Sequence, residues 1–349
     1  MKYNQLGNTG LFVSQLCLGT MTFGGDGGFK FMGGLDQPTA NAMMARVFDA
    51  GINFLDTSNN YSYGQSESMI GQGLRDIGVK RSDVIIATKC YQRVGPGPNE
   101  IGASRAHIMD AVSGSLERLG TDHVDLYQIH SNDAVTPLDE TLRALDDLVS
   151  SGMVRYIGVS NWQAWKMMKA NGIAASRGWC RPECVQAYYS IAGRDIEREI
   201  APFLEDQKVG LLVWSPLAGG LLTGKFGRDG SGPEGARRAV FDSPRVDRER
   251  AYACVDAMRP MAEARGCSIA AIALAWLLSR SMVTSVIVGA RTIEQLDDNL
   301  SCTAIELAAQ ELATLDEASA LPAEYPGWFI DRQTPERRPA PFVPGGSKT

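Results

Sequence analysis

Eight short apolar runs, each followed by a segment of helical periodicity, give an α/β chain of the (β/α)8 TIM-barrel class, with two auxiliary helices and a long C-terminal tail. Three observations carry this expectation. The runs are nearly continuous in apolar character, as strands covered on both faces of a parallel sheet are. Polar or glycine residues close each run before a helical segment begins. No GxGxxG follows the first run, which removes the main signature of a doubly wound dinucleotide fold, and eight units in a row favour closure.

The expected strands are residues 15–18, 53–55, 84–87, 124–129, 154–159, 184–186, 211–214 and 286–288. Helical spacing covers 40–50, 67–74, 105–118, 138–149, 163–170 and 196–206. After the seventh strand come 248–264 and 269–278, and after the eighth 293–300 and 308–318. Segments 24–35 and 227–244 read as loops, and the proline-containing tail begins after Leu321. The expectation is one domain over 1–349, with the barrel at about 15–300 and an auxiliary helix and tail at 301–349.

Composition bounds the function. The chain of 349 residues has 44% hydrophobic and 21% charged residues, the balance of an ordinary globular protein. A net charge of −6 argues against general attraction to nucleic acid or anionic membranes. The seven cysteines, an odd and scattered set, read as reduced thiols of a cytoplasmic protein. The N-terminus has no apolar h-region, and no run reaches the roughly 20 apolar residues of a membrane span. Cys180 and Cys184 have metal-ligand spacing but no second pair, so no metal is expected.

Chemistry collects at the C-terminal ends of three consecutive strands, where barrel enzymes place it. Asp56 closes the second strand, with Tyr61 five residues on; Lys89 closes the third and His130 the fourth. A carbonyl reduced by hydride needs a proton at oxygen, and a phenol with a pKa of about 10 gives one readily only beside a cation. Lys89 is expected to lower the pKa of Tyr61, Asp56 to hold Lys89, and a neutral His130 to polarise the carbonyl. The alternative reading of each residue alone is structural: an ion pair, a framework histidine, a packed tyrosine. The pattern Tyr-x-x-x-Lys, which marks another reductase type, is absent from the sequence.

The segments GINFLDTSNNYSYGQSE, VIIATK, DLYQIH and GVSN resemble those of the aldo-keto reductase superfamily, and VQAYYS, VWSPLAGGLLTGK and VGARTIEQLDDNL extend the resemblance from Leu18 to about Asn299. It implies a catalytic tetrad of Asp56, Tyr61, Lys89 and His130, and a nicotinamide cofactor. Ser160, Asn161 and Gln186 match the groups that hold the carboxamide, and Trp214 the ring that stacks on the nicotinamide. Gly19, Thr20 and Met21 fall in the first cofactor loop, Ser215 and Pro216 follow Trp214, and Gly289 precedes the last contact segment.

GGLLTGKF approaches a P-loop but has Phe226 where magnesium-binding Ser or Thr belongs, so an NTPase is disfavoured. As the loop after strand seven it is a favoured phosphate site, with Leu217, Gly219 and Lys225 facing the pyrophosphate. Arg291, opening a helix after strand eight, suits a phosphate; the resemblance implies that this region grips the adenosine 2′-phosphate, with Gln295 and Asn299 on the adenine side, so NADPH is favoured over NADH. Asp298 would instead favour a ribose hydroxyl. Phe29, Phe31, Tyr91, Trp162, Tyr188 and Trp328 would join Tyr61 and His130 in an aromatic pocket for a bulky ketone, a polycyclic alcohol or a sugar ring, or else pack loops.

The expected partner is a small carbonyl or alcohol substrate, with no nucleic acid and no membrane. A homo-oligomer is left open, the tail being free to seal the pocket or reach a neighbour. The competing function is a cofactor-binding redox sensor or regulatory subunit with slow turnover, a role some barrels resembling this family take.

Overall fold

A computed structural model describes residues 1–25, 31–233, 236, 238 and 241–337. A compact unit spans Met1–Ser319 and a second begins at Ala320. The first is the expected barrel. Its strands are β3 (Leu16–Gly19), β4 (Phe54–Asp56), β5 (Ile85–Cys90), β6 (Val124–Ile129), β7 (Val154–Ser160), β8 (Cys184–Tyr188), β9 (Gly210–Trp214) and β10 (Val283–Val288). They pair in parallel in chain order, and β10 closes on β3 through Val286 opposite Leu16 and Val288 opposite Leu18.

Parallel strands of this length need crossovers, and the helical segments supply them. They are α1 (Gln37–Asp49), α2 (Gln65–Asp76), α3 (Arg105–Leu119), α4 (Leu138–Ser150), α5 (Ala164–Arg177) and α6 (Ile200–Gln207), then α7 (Arg248–Arg265), α8 (Ile269–Leu278), α9 (Ile293–Ser301) and α10 (Ala309–Ala318). Local chemistry sets their ends. Asp36, Ser104, Asp247 and Ser268 cap α1, α3, α7 and α8 by accepting from an amide of the first turn. Gly120 and Gly266 close α3 and α7 in the left-handed conformation. Helix α8 is buried almost all round, which explains why its segment reads as continuously apolar.

Two apolar clusters follow from strand alternation. One set of strand residues faces the helices and forms the large outer core. The other, with Cys17, Phe54, Ile85, Ala87, Leu126, Cys184, Leu212 and Ile287, fills the barrel interior. Sequence periodicity did not reveal the hairpin of β1 (Tyr3–Gln5) and β2 (Phe12–Ser14), whose strands have only three residues each. It packs Leu6 and Val13 onto the inner cluster. Gly7, at the turn, has φ +57 and comes so close to Glu183 O that a Cβ would stand 2.1 Å away. The hairpin therefore plugs the N-terminal end of the barrel and leaves polar chemistry to the other end.

In the second unit Gly327–Arg337 form a helix, α11, where only a tail was expected. Trp328 lies on it, its ring beside those of Tyr325 and Phe329 at 6.3 and 5.7 Å.

Leu6→Ala should remove about 3 kcal/mol of stability, the usual cost of a buried leucine truncation. Urea denaturation should show that loss while turnover at the opposite end of the barrel is preserved; a plug with no effect on stability would contradict this placement.

Candidate active site

The C-terminal ends of β4, β5 and β6 bring the four expected residues together. Asp56 ends β4, Lys89 is the penultimate residue of β5 and His130 follows β6. Past Asp56 the chain stays docked on β5: Thr57 N donates to Ala87 O at 2.9 Å and Asn59 N to Lys89 O at 3.1 Å. This extension carries Tyr61 to Lys89. Beyond it Ser62, Tyr63 and Gly64 are all left-handed, at φ 47, 51 and 91. Backbone of this kind persists only where its surroundings hold it, and Gly64 is needed twice, since a Cβ would also meet Arg118 Cδ at 2.6 Å.

The Lys89 ammonium has no solvent exposure, and its three hydrogens are accounted for. It donates to Asp56 Oδ1 at 2.6 Å, Thr57 O at 2.8 Å and Tyr61 OH at 3.4 Å. The other carboxylate oxygen of Asp56 accepts from Gln186 Nε2 at 2.8 Å and Gln128 Nε2 at 3.2 Å. Gln128 was not anticipated. The signal was present, since it stands on β6 two residues before His130, which follows that strand, and so faces the interior. Gly158 makes room for it: a Cβ there would stand 2.6 Å from Cys184 Sγ and 3.2 Å from Gln128 Cγ.

Burial governs the proton affinities. It pushes the Tyr61 phenol up, and the opposing Lys89 charge does not reverse this, so the net shift is upward. Lys89 acts in the expected direction, lowering the phenol, but the expectation left out burial, which outweighs it. Burial pulls the Lys89 ammonium down, but Asp56 and Tyr61 together lift it above its ordinary value, and it stays charged. Burial, reinforced by Lys89, holds His130 well below the usual imidazole range, so the ring is neutral near pH 7. Its Nδ1 lies 3.2 Å from Ser58 Oγ, and its ring meets Tyr61 edge-on with centroids 5.8 Å apart.

The polar residues expected around a cofactor continue along the same rim. Ser160 Oγ donates to Gln186 O at 2.9 Å; Asn161 Nδ2 donates to Ser160 Oγ at 3.0 Å and to His130 O at 3.3 Å. Trp214 Nε1 donates to Asn161 Oδ1 at 3.0 Å. Tyr91, Asn161 and Ser215, at the turns leaving β5, β7 and β9, all have positive φ. Pro216 is buried and Leu217 partly so; Gly219 N donates to Ser215 Oγ at 3.1 Å, and Lys225 is exposed farther along this loop. Gly19 and Met21 are partly buried and Thr20 is buried, its hydroxyl on Asp56 O at 3.1 Å.

At the end of β10, Gly289 accepts from Asn299 Nδ2 at 3.4 Å, and Arg291 N donates to Gln295 Oε1 at 3.0 Å. The Arg291 guanidinium donates to Phe31 O at 2.7 Å. Asp298 accepts from Ser268 Oγ, the cap of α8, at 2.8 Å.

Of the aromatic residues, Phe31 packs near Phe241 with centroids 6.0 Å apart, and Tyr91 is half-buried against the outer core. Trp162 is buried with Nε1 on Ser131 O, and Tyr188 tilts against Trp214 at 5.3 Å. Asn161, Trp162, Tyr188, Asp195, Ile196 and Ile200 border a cavity of about 320 Å³. Trp328 belongs to the second unit, and Phe29 lies outside the described residues.

With this geometry in place, the sequence matches the model of the aldo/keto reductase family over residues 15–320. The chain belongs to that family. It is 39% identical to an uncharacterized oxidoreductase, YrpG, of Bacillus subtilis, over 91% of this chain and 95% of the other. It is 34% identical to versiconal hemiacetal acetate reductase of Aspergillus parasiticus, over 94% and 99%. It is 37% identical to a probable voltage-gated potassium channel subunit beta of Oryza sativa, over 86% and 90%. Membership makes this family member an oxidoreductase of the class that works with nicotinamide cofactors on small carbonyl compounds. Among the described residues no single helix is long and apolar enough to cross a membrane.

Lys89→Met should cost about 3–5 kcal/mol, because it strands the Asp56 carboxylate in the interior. Adding Asp56→Asn should recover part of that loss, with a coupling of at least about 1 kcal/mol in a double-mutant cycle by chemical denaturation. Simple additivity would show that the pair does not act as a unit.

Proposed function

We propose that the protein is an NADPH-dependent reductase of a ketone or aldehyde, reversible toward the alcohol, with Tyr61 as proton donor. The observation that carries this reading is the closed contact of the buried Asp56–Lys89 pair with the Tyr61 hydroxyl.

A nicotinamide fits the residues present. Both amide hydrogens of Gln186 point into the barrel, at Asp56 Oδ2 and, at 3.4 Å, Gln128 Oε1. Its amide orientation is thereby fixed, with the oxygen as the end that can accept from a carboxamide. Ser160 and Asn161 would hold the same group, and Trp214 would cover the ring face. When bound, the reduced cofactor supplies the hydride.

The chain's own residues do the rest. Tyr61, kept protonated by burial, gives its hydroxyl hydrogen to the carbonyl oxygen as charge develops there. The Lys89 ammonium stabilises the phenolate left behind, and Asp56 holds that ammonium in place. Neutral His130 contributes a second hydrogen bond to the oxygen and fixes its approach. Leu217, Gly219 and Lys225 would line the pyrophosphate. Arg291, with Gln295 and Asn299 beside it, would take the 2′-phosphate. The engagement of Asp298 by Ser268 supports that choice, since it occupies the acid that would favour a ribose hydroxyl. A cytoplasmic enzyme with one barrel domain, in the unit Met1–Ser319, is the setting we infer.

The similarity to potassium-channel beta subunits supports a second reading, a tightly cofactor-bound regulatory subunit with slow turnover. Steady-state turnover compared with the rate of NADP release separates the two: release far slower than chemistry favours regulation.

Tyr61→Phe should retain NADPH binding and lose at least about 100-fold in kcat, the scale of general acid catalysis. Wild-type turnover of 4-nitrobenzaldehyde by that variant would end the assignment. Arg291→Ala should reduce the NADPH-over-NADH preference, read as a ratio of kcat/KM values. The upward shift of Tyr61 keeps the donor form beyond its ordinary pKa, and the downward shift of His130 keeps the ring neutral below its own. Reduction should therefore show no inflection near pH 6.5 and decline only above about pH 10.

A further inference from the structure

We infer that Ser58 is a positioning residue that donates its hydroxyl hydrogen to His130 Nδ1 and so fixes the hydrogen of the neutral imidazole on Nε2. The inference rests on the proposed carbonyl reduction and concerns a residue with no role in it so far. A neutral imidazole has one N–H and one lone pair, so it can donate to a carbonyl oxygen from only one nitrogen. Nδ1 is taken by Ser58 Oγ at 3.2 Å, which leaves Nε2 as the nitrogen for the substrate, and Nε2 donates only if Nδ1 accepts.

Ser58 has one hydrogen and three neighbours. They are Asn60 Oδ1 at 2.7 Å, Lys89 O at 3.3 Å and His130 Nδ1. With the Asn60 amide oriented as in the structure, the hydrogen goes to Oδ1, and Nδ1 would have to donate. A half-turn of the same amide occupies the same volume and exchanges the roles. Asn60 Nδ2 then donates to Ser58 Oγ, and Ser58 donates to Nδ1. The Lys89 charge already disfavours protonation of the ring, and burial does so more strongly, so His130 cannot escape the choice by carrying both hydrogens. Ser58 is itself held, because Thr57 N and Asn59 N on either side of it donate to Ala87 O and Lys89 O of β5.

The test is 15N NMR of histidine-labelled wild-type protein. The chain has three histidines, so replacing His107 and His123 in turn assigns the signals. Protonated and unprotonated ring nitrogens resonate far apart. The inference requires His130 in the Nε2–H form, a change of that pattern in Ser58→Ala and its return in Ser58→Thr, which keeps the hydroxyl. With an aldehyde, kcat should fall about tenfold in Ser58→Ala and recover in Ser58→Thr, a fraction of the loss expected when an oxyanion donor is removed outright. The KM for NADPH should be unchanged in both.

An Nδ1–H signal in wild type overturns the inference, even if the protein turns over normally. Equal impairment of both variants with an unchanged spectrum overturns it too. If wild type reduces no carbonyl, the proposed function fails, and the spectrum still decides the tautomer.

Discussion

Asp56 and Lys89 sit in the barrel with almost no access to water, and every other feature of the site is arranged around that fact. Charges in such a place are tolerated only when their hydrogen-bonding capacity is filled. Here Lys89 spends its hydrogens on Asp56, Thr57 and Tyr61, and Asp56 receives Lys89, Gln128 and Gln186. Five elements are thereby tied at one level of the barrel: β4, the loop after it, β5, β6 and β8. The Tyr61 hydroxyl is one arm of this network, so its position is set by the same contacts that keep the ion pair buried.

The two ends of the barrel divide the work. At the N-terminal end the small hairpin supplies Leu6 and Val13, completing an apolar interior. Above that layer the inward positions turn polar, from Ala87 to Lys89 on β5 and from Leu126 to Gln128 on β6. The left-handed residues Ser62, Tyr63, Tyr91, Asn161 and Ser215 gather where the strands end. Conformational strain and polar chemistry therefore occupy the same rim, while the plugged end and the helix layer provide the apolar burial that offsets them.

Much of this was legible in the sequence because strands and helices leave periodic traces. All eight barrel strands fall where the apolar runs are, residues 124–129 and 269–278 match their elements end to end, and Asp56, Tyr61, Lys89 and His130 converge as their strand ends imply. Three-residue strands such as Tyr3–Gln5 are too short to show a period, and α11 follows a proline-bearing segment that reads as tail. Gln128 carried a positional signal, two residues before His130, whereas Ser58 acquires meaning only through the neighbours it touches.

The sequence by itself determined the order of strands and helices, the barrel class and the residue types at each strand end, since these depend on local pattern and on alternation along one segment. Only the tertiary structure decided how those groups influence one another. The direction of the Tyr61 shift is the clearest case. Proximity to Lys89 argued for a lowered phenol, whereas burial, a property of the whole fold, outweighs that charge and raises it. Which nitrogen of His130 meets Ser58, and which amide hydrogens reach Asp56, likewise depend on residues 72 to 130 positions apart in the chain that touch because the barrel closes.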